Sequence, residues 1–327
     1  MPPALKAQVY DHGMTFDNPT FAHSPILEPG LTAARLPYPA LIAELHRLLL
    51  DRSVQVPPRL VLPMAGGASL FVMPAADADI AMTKLITFTP ANAGHGLATI
   101  QGDVVVFDVA TGKRLALLDG PTVTARRTAA VSVLAAQHLA PCKQGPVLIV
   151  GAGVQGTAHL EAFAEGLDIK EFFIASRSPA SAARLIAHAQ SLGLKARMVA
   201  DANAVLAECP MAVTCTSASA VVLSALPRPD GFIAAIGAFT PQMVELDAGL
   251  CQHVAAHGTV VLDTRDADHE AGDLLQAGLD VSRFASLADV VRKGAFPTQG
   301  PVLFKSCGWA GWDLAAARTA IAPVAGP

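Results

Sequence analysis

Val147-Leu-Ile-Val150 runs directly into Gly151-Ala-Gly-Val-Gln-Gly156, and this junction decides the fold. Four consecutive apolar residues suit a strand covered on both faces, as in a parallel sheet. The G-x-G-x-x-G that follows then opens a helix. Its first glycine allows a tight turn, its second lets backbone approach a pyrophosphate, and its third lets helix pack on strand. Val154 and Gln155 fall in the first helical turn, where free N–H groups and a partial positive charge favour phosphate. Gly151, Gly153, Val154, Gln155 and Gly156 are therefore the expected dinucleotide-binding residues.

Toward the C-terminus the same grammar repeats. Apolar runs recur at Phe172-Phe-Ile-Ala175, Ala212-Val-Thr-Cys215, Phe232-Ile-Ala-Ala-Ile236 and Thr259-Val-Val-Leu262, with helical stretches such as Thr157–Gly166 and Ala180–Leu192 between them. Alternating strand and helix predict a doubly wound parallel sheet of the Rossmann type. The end of the second strand selects the cofactor. An NAD site usually carries an acid about 20 residues past the glycines, accepting from the ribose 2′-hydroxyl. Here that strand ends Ala175-Ser-Arg-Ser178. Arg177 offers a planar cation to a 2′-phosphate, and Ser176 and Ser178 offer hydroxyls. The expected cofactor is NADPH, with NADH also admissible.

Toward the N-terminus the pattern is different. Pro39–Leu50 has helical apolar spacing. Short strand-length runs follow at Arg59–Leu62, Ser69–Met73, Ala81–Phe88, Leu97–Ile100, Val104–Asp108 and Leu115–Leu118, separated by glycines. They predict an antiparallel or mixed sheet. A long Ala-rich helix is expected from Thr124 to Leu139, stopped by Pro141. Three cations stand out here: Arg59 opening a strand, Lys84 inside an apolar strand, and Arg127 near the start of the long helix. Taken singly, each could face solvent. Clustered and buried, they would need an anionic ligand to offset desolvation.

Composition narrows the classes. The 327 residues are 52% hydrophobic, and 23 Lys and Arg face 27 Asp and Glu, so nothing drives the chain toward nucleic acid or an anionic membrane. No apolar run approaches the roughly 20 residues of a spanning helix. Met1–Thr20 lacks the apolar core of a signal peptide. The expectation is a soluble cytoplasmic protein. The five cysteines, at 142, 209, 215, 251 and 307, form no C-x-x-C pair, and the ten histidines form no H-E-x-x-H. Neither a disulfide framework nor a metal site is expected.

Lys84-Leu-Ile-Thr, Pro90-Ala-Asn92, Phe107-Asp108, Thr111-Gly112, Asp119-Gly120, Thr124 and Arg127-Thr-Ala-Ala130, followed by the glycine motif, resemble the ornithine cyclodeaminase/μ-crystallin family. Thr214-Cys-Thr-Ser217, Asp263-Thr-Arg265, Glu270-Ala-Gly-Asp273 and Phe304-Lys-Ser306 extend the likeness from about Arg59 to Ala317. The resemblance implies homodimers whose first domain dimerises and carries the substrate pocket. It implies that Arg59, Lys84 and Arg127 hold a substrate carboxylate, and that Thr216, Ser217 and Ser306 lie near the cofactor. One position departs. The cyclodeaminase branch has an Asp in a Gly-Gly-Asp-x-Pro pattern, where this chain reads Gly237-Ala-Phe-Thr-Pro241. Phe239 cannot accept a proton from an ammonium but can line a pocket for an apolar ring. This points to the reductase branch.

The fold expected is α/β: a doubly wound Rossmann sheet over 123–302, plus a mixed α+β substrate-binding and dimerisation domain over 1–122 that residues 303–327 rejoin. The expected reaction is NAD(P)H-dependent reduction of cyclic ketimine carboxylates, Δ1-pyrroline-2-carboxylate to L-proline and Δ1-piperideine-2-carboxylate to L-pipecolate. Lys84 and Arg127 are the candidate catalytic residues, and Arg59, Lys84, Arg127 and Phe239 the substrate contacts. The alternatives are an ornithine cyclodeaminase, an NAD-dependent amino-acid dehydrogenase, and an NADPH-loaded small-molecule binding protein. Glu270, Asp273 and Asp313 read more readily as helix-capping acids, His95 as a surface histidine, and Arg126 as solvent-facing.

Overall fold

The computed structural model describes residues 25–217 and 219–323. The leader-free reading of Met1–Thr20 lies outside the described residues. Two sheets organise the chain.

The first sheet has six strands, in the spatial order Ile26–Leu27, Arg114–Asp119, Ile100–Asp108, Ile80–Phe88, Ser69–Ala76 and Leu60–Pro63. All neighbours are antiparallel except the first pair. Alternation governs its two faces. In Ile80–Phe88 the side chains of Ile80, Met82, Lys84 and Ile86 point inward, whereas Leu85 stays exposed. The helices Tyr38–Leu50, Gly120–Leu139 and Ala310–Ile321 are packed around this sheet and on one another.

Two expectations need correction here. Leu97–Ile100 is not a strand of its own; a 3-10 turn covers Pro90–His95 and the next strand starts only at Ile100. The long helix begins at Gly120, earlier than Thr124, because Asp119 caps it by accepting from the Thr122 N–H at 2.8 Å and Pro121 fits its first turn.

The second sheet is parallel throughout. Its eight strands lie in the order Ala285–Ser286, Thr259–Leu262, Val302–Lys305, Phe232–Ala235, Met211–Thr214, Val147–Val150, Glu171–Ala175 and Lys195–Met198. Strand order reverses direction at Val147–Val150, so a crevice opens beyond the carboxyl ends of that strand and Met211–Thr214.

The C-terminal segment is divided between the two halves. Val302–Lys305 is inserted in the parallel sheet between Phe232–Ala235 and Thr259–Leu262, which corrects the assignment of residues from 303 onward to the first domain. Only the helix Ala310–Ile321 returns there. Arg318 fixes it: Nε donates to Asp77 Oδ2 at 2.6 Å, Nη1 to Glu44 Oε1 at 3.2 Å and Nη2 to Asp51 Oδ2 at 2.5 Å.

Candidate active site

The crevice fits a dinucleotide on its backbone geometry. Gly151 has φ +119°, a conformation L side chains rarely adopt, and a β-carbon there would meet the Cys215 carbonyl oxygen at 2.8 Å. A β-carbon on Gly156 would meet the Gly151 carbonyl oxygen at 2.1 Å, whereas one on Gly153 would meet nothing within 4 Å. The first two glycines are thus needed for packing, and Gly153 borders open space, as backbone approach by a phosphate requires. The helix Val154–Leu167 carries no side-chain cap. Its first N–H groups are left for an anion. Val154 is exposed in that turn. The Gln155 carbonyl accepts from His159 Nδ1 at 2.7 Å, and His159 Nε2 accepts from the Ser132 hydroxyl at 2.9 Å. Burial pushes His159 down to about 4 and keeps it neutral. This bridge ties the glycine helix to the long helix.

At the crevice rim, Arg177 is exposed and makes no ion pair among the described residues. Ser178 is partly committed, accepting from the Ser181 N–H at 3.2 Å as the cap of the following helix. Ser176 Oγ accepts from the Ser178 N–H at 3.2 Å. Ser217 is exposed beyond the strand Met211–Thr214. Thr216 is held by a buried carboxylate absent from the sequence reading. Glu245 accepts from the Thr216 N–H at 2.6 Å and hydroxyl at 2.8 Å, from the Thr214 hydroxyl at 2.9 Å and from the Gly237 N–H at 2.7 Å. Burial pushes the Glu245 carboxyl up, and Lys305 and the Thr216 donors pull it back. Asp273 continues the network. It accepts from the Glu245 and Leu246 N–H groups and pairs with Lys305 Nζ at 2.7 Å, both side chains being buried. Asp273 is therefore no simple cap. It braces the strand ends that floor the crevice.

Ser306 also differs from expectation. Its hydroxyl is buried and donates to Asp263 Oδ2 at 2.8 Å, so it is not directed to a ligand. Asp263 Oδ2 also accepts from the Cys307 and Gly308 N–H groups. The clamped loop packs against Arg127, and a β-carbon on Gly308 would meet Arg127 Nη2 at 3.3 Å.

Lys84 and Arg127 do come together, and an unexpected residue joins them. Asp313, fully buried in the last helix, sits 2.9 Å from Lys84 Nζ through Oδ2 and accepts from Arg127 Nε at 3.1 Å through Oδ1. It is an ion-pair partner, not a cap. Period-two alternation brings Lys84 to this inward face beside Met82 and Ile86. Lys84 is 1% exposed. Burial pushes its ammonium down to about 8; Asp313 opposes this, while Arg127 and Arg59 add to it. Arg127 uses Nε for Asp313, leaving both Nη groups without partners among the described residues. Two cations against one carboxylate leave the buried triad one positive charge in excess.

Arg59 reaches the same cluster from the strand edge and pairs with Glu270, which follows the 3-10 turn Arg265–His269. Burial raises the Glu270 carboxyl above its usual range, and Arg59 draws it back. Phe239 meets Phe88 edge-on, with ring centroids 6.1 Å apart, so an apolar wall faces the end of the Lys84 strand. His95 is exposed, as expected of a surface turn. Arg126 is not solvent-facing: it donates to the Leu36 carbonyl at 2.8 Å and to Glu161 at 3.2 Å, and stacks 3.9 Å above the Tyr38 ring. Among the described residues no group of His, Cys, Asp and Glu could hold a metal ion, no helix is long and apolar enough to cross a membrane, and all five cysteines are free.

Comparison with known proteins shows the family. Residues 36–322 match the model of the ornithine cyclodeaminase/mu-crystallin family. The chain is 40% identical over 300 residues to Delta(1)-pyrroline-2-carboxylate reductase 2 of Burkholderia ambifaria, covering 90% of this chain and 94% of the relative. It is also 40% identical over 301 residues to a Delta(1)-pyrroline-2-carboxylate/Delta(1)-piperideine-2-carboxylate reductase of Azospirillum brasilense, covering 90% and 94%. In fold it is similar to the Thermococcus litoralis Delta(1)-pyrroline-2-carboxylate reductase solved with NADH and L-proline. That likeness has a TM-score of 0.83 at 24% identity and covers 90% of this chain and 96% of the other.

Proposed function

The chain belongs to the ornithine cyclodeaminase/mu-crystallin family, and from that premise we propose that it uses a nicotinamide cofactor to reduce cyclic ketimine carboxylates, Δ1-pyrroline-2-carboxylate and Δ1-piperideine-2-carboxylate, to L-proline and L-pipecolate. It is an oxidoreductase acting on a carbon–nitrogen double bond. The observation that carries the reading is the buried excess of positive charge on Lys84 and Arg127 around Asp313, together with an uncapped glycine helix. A small carboxylate neutralises that charge. Its desolvation is offset only if it is hydrogen-bonded, and the two free Nη groups of Arg127 match a carboxylate bidentately.

Holding the carboxylate fixes the adjacent C=N carbon, and positioning of this kind supplies much of an enzyme's rate. The reduced nicotinamide, when bound, supplies the hydride. Lys84, with its ammonium lowered to about 8, is still largely protonated at neutral pH yet a better acid than an ordinary lysine. It delivers a proton to the ring nitrogen, so that the carbon accepts hydride as an iminium. Phe239 and Phe88 wall the apolar part of the ring. A spectrophotometric assay tests the reading: NADPH or NADH should be consumed with either ketimine. Ammonia release from ornithine with NAD, and no ketimine reduction, would replace it with the cyclodeaminase reading.

NADPH is the preferred cofactor in this proposal, on the strength of Arg177 and the lack of an acid at the strand end. Arg177→Asp should lower kcat/KM for NADPH by about 10- to 100-fold, equivalent to one or two charge-assisted hydrogen bonds. NADH should change by less than about threefold on the same scale. Equal losses for both cofactors would remove Arg177 from the 2′-phosphate.

The proposed assembly is a homodimer through the first sheet. Leu60, Leu62 and Leu85 expose 56%, 52% and 45% of their surface there, and Leu60–Pro63 is an edge strand with unpaired backbone groups. An apolar face and open edge of this kind favour burial against a second copy. Light scattering should report a dimer, and Leu85→Lys should shift it toward monomer.

A further inference from the structure

We propose that Glu245 is a positioning residue for the cofactor: its buried negative charge braces the floor under the nicotinamide half of the crevice and favours the oxidised, cationic ring over the reduced one. The inference rests on the nicotinamide reading above and names the group that biases the hydride transfer.

Strand order assigns the two halves of a dinucleotide. The glycine helix after Val147–Val150 takes the pyrophosphate. Arg177 follows Glu171–Ala175, the neighbour of Val147–Val150 on one side, and the adenosine end belongs there. The nicotinamide end must then extend to the other side, over the ends of Met211–Thr214 and Phe232–Ala235. The chain leaves those two strands at Thr214–Thr216 and at Gly237, and Glu245 ties both exits together.

The contacts of Glu245 define its ionisation. Oε1 accepts from the Thr216 N–H and hydroxyl, and Oε2 from the Gly237 N–H and the Thr214 hydroxyl. Each oxygen thus faces a backbone N–H, which can only donate, and a carboxylate matches that set better than a carboxylic acid does. A β-carbon on Gly237 would collide with the Thr216 carbonyl oxygen and with Glu245 Oε1, so only glycine lets the two exits close on the carboxylate.

Charge then decides the effect. Lys305 is paired with Asp273, so Glu245 leaves this network one negative charge in excess. Glu245 has no solvent exposure, and a charge shielded from water and salt acts over a longer range than an exposed one. Asp263 lies two strand positions beyond Phe232–Ala235 and is spent on Ser306, Cys307 and Gly308. The Lys84–Arg127–Asp313 triad has the opposite excess, one positive charge, and the reaction must create a second cation within reach of the substrate it holds. The hydride carries both electrons to the iminium carbon, the substrate nitrogen loses its positive charge, and the nicotinamide ring acquires one. Glu245 offsets the repulsion as that charge develops, from a position already fixed by four hydrogen bonds.

The test measures the affinities of NADP⁺ and NADPH for the full chain by titration calorimetry, with no turnover. Glu245→Gln should weaken NADP⁺ about tenfold more than NADPH, the scale of one unscreened charge acting through a protein interior. That ratio is a shift of about 30 mV in the two-electron potential of the bound cofactor. Glu245→Asp keeps the charge and should hold the ratio near its wild-type value, even where both affinities fall. Equal weakening of the two forms by Glu245→Gln would reduce Glu245 to a structural prop and overturn the proposal, as would no change in either. If Glu245→Gln does not fold, the wild-type protein decides. NAD⁺ should bind it more tightly than the benzamide analogue of NAD⁺, which has the same shape and an uncharged ring; equal or weaker binding of NAD⁺ would overturn the proposal. Failure of the underlying reading has a separate signature: wild-type protein would bind no nicotinamide dinucleotide in either oxidation state.

Discussion

Asp313→Asn should lower kcat/KM for cyclic ketimine carboxylates by about 1,000-fold and reduce Tm by about 5 °C or more, because breaking a buried ion pair costs about 3–5 kcal/mol. The substitution preserves shape and removes the charge that lies against both Lys84 and Arg127. The pH dependence gives the sharper readout. In the wild-type protein Asp313 raises the Lys84 pKa against burial and against Arg127. The proton-donating form of Lys84 is present below about 8, so kcat/KM should fall as pH rises through that value. Removing Asp313 removes the raising influence, and the alkaline limb should move to lower pH. A limb that stays in place would exclude Lys84 as the donor.

Arg127→Ala should raise KM for the ketimine by about 100-fold or more, the equivalent of two charge-assisted hydrogen bonds at about 1.5–3 kcal/mol each. Binding of NADPH should remain near normal, since the Arg127 side chain is engaged with Asp313 and lies against the Gly308 loop. Arg127→Lys keeps the charge but loses the planar fork, and should recover only part of the loss. Unchanged ketimine kinetics in Arg127→Ala would reject the carboxylate clamp. A parallel loss of cofactor affinity would mean that the long helix had shifted as a whole.

The parallel sheet was readable because its physics is local. A strand covered on both faces must be continuously apolar, and a backbone turn that carries phosphate must be glycine, so Val147–Gly156 announces itself without knowledge of anything distant. The cations were readable as chemistry but not as geometry. Lys84 could have been placed inward from the alternation of Ile80, Met82 and Ile86, yet a lysine in an apolar strand is equally compatible with the solvated face. Asp313 left a fainter signal, a lone carboxylate in the run Trp312–Ala317, and nothing in that run states that it meets Lys84 and Arg127, remote in sequence. Glu245 was missed for a similar reason, because its four donors are gathered from two other strand ends. Val302–Lys305 misled in the opposite direction. Adjacency in sequence to the final helix suggested a shared destination, but the chain crosses from one half to the other at Ser306–Trp309, on the loop that Asp263 gathers.

The placement of Val302–Lys305 has a bearing on how the molecule is made. The strand lies inside its sheet, and both of its neighbours precede it in the chain. A nascent polypeptide lacking it would have Phe232–Ala235 and Thr259–Leu262 facing each other across a missing row of hydrogen bonds, each offering a free rim to any other chain. The ribosome must therefore deliver the chain through Lys305 before this half can lock, and the interval until then is when the protein is most exposed to aggregation.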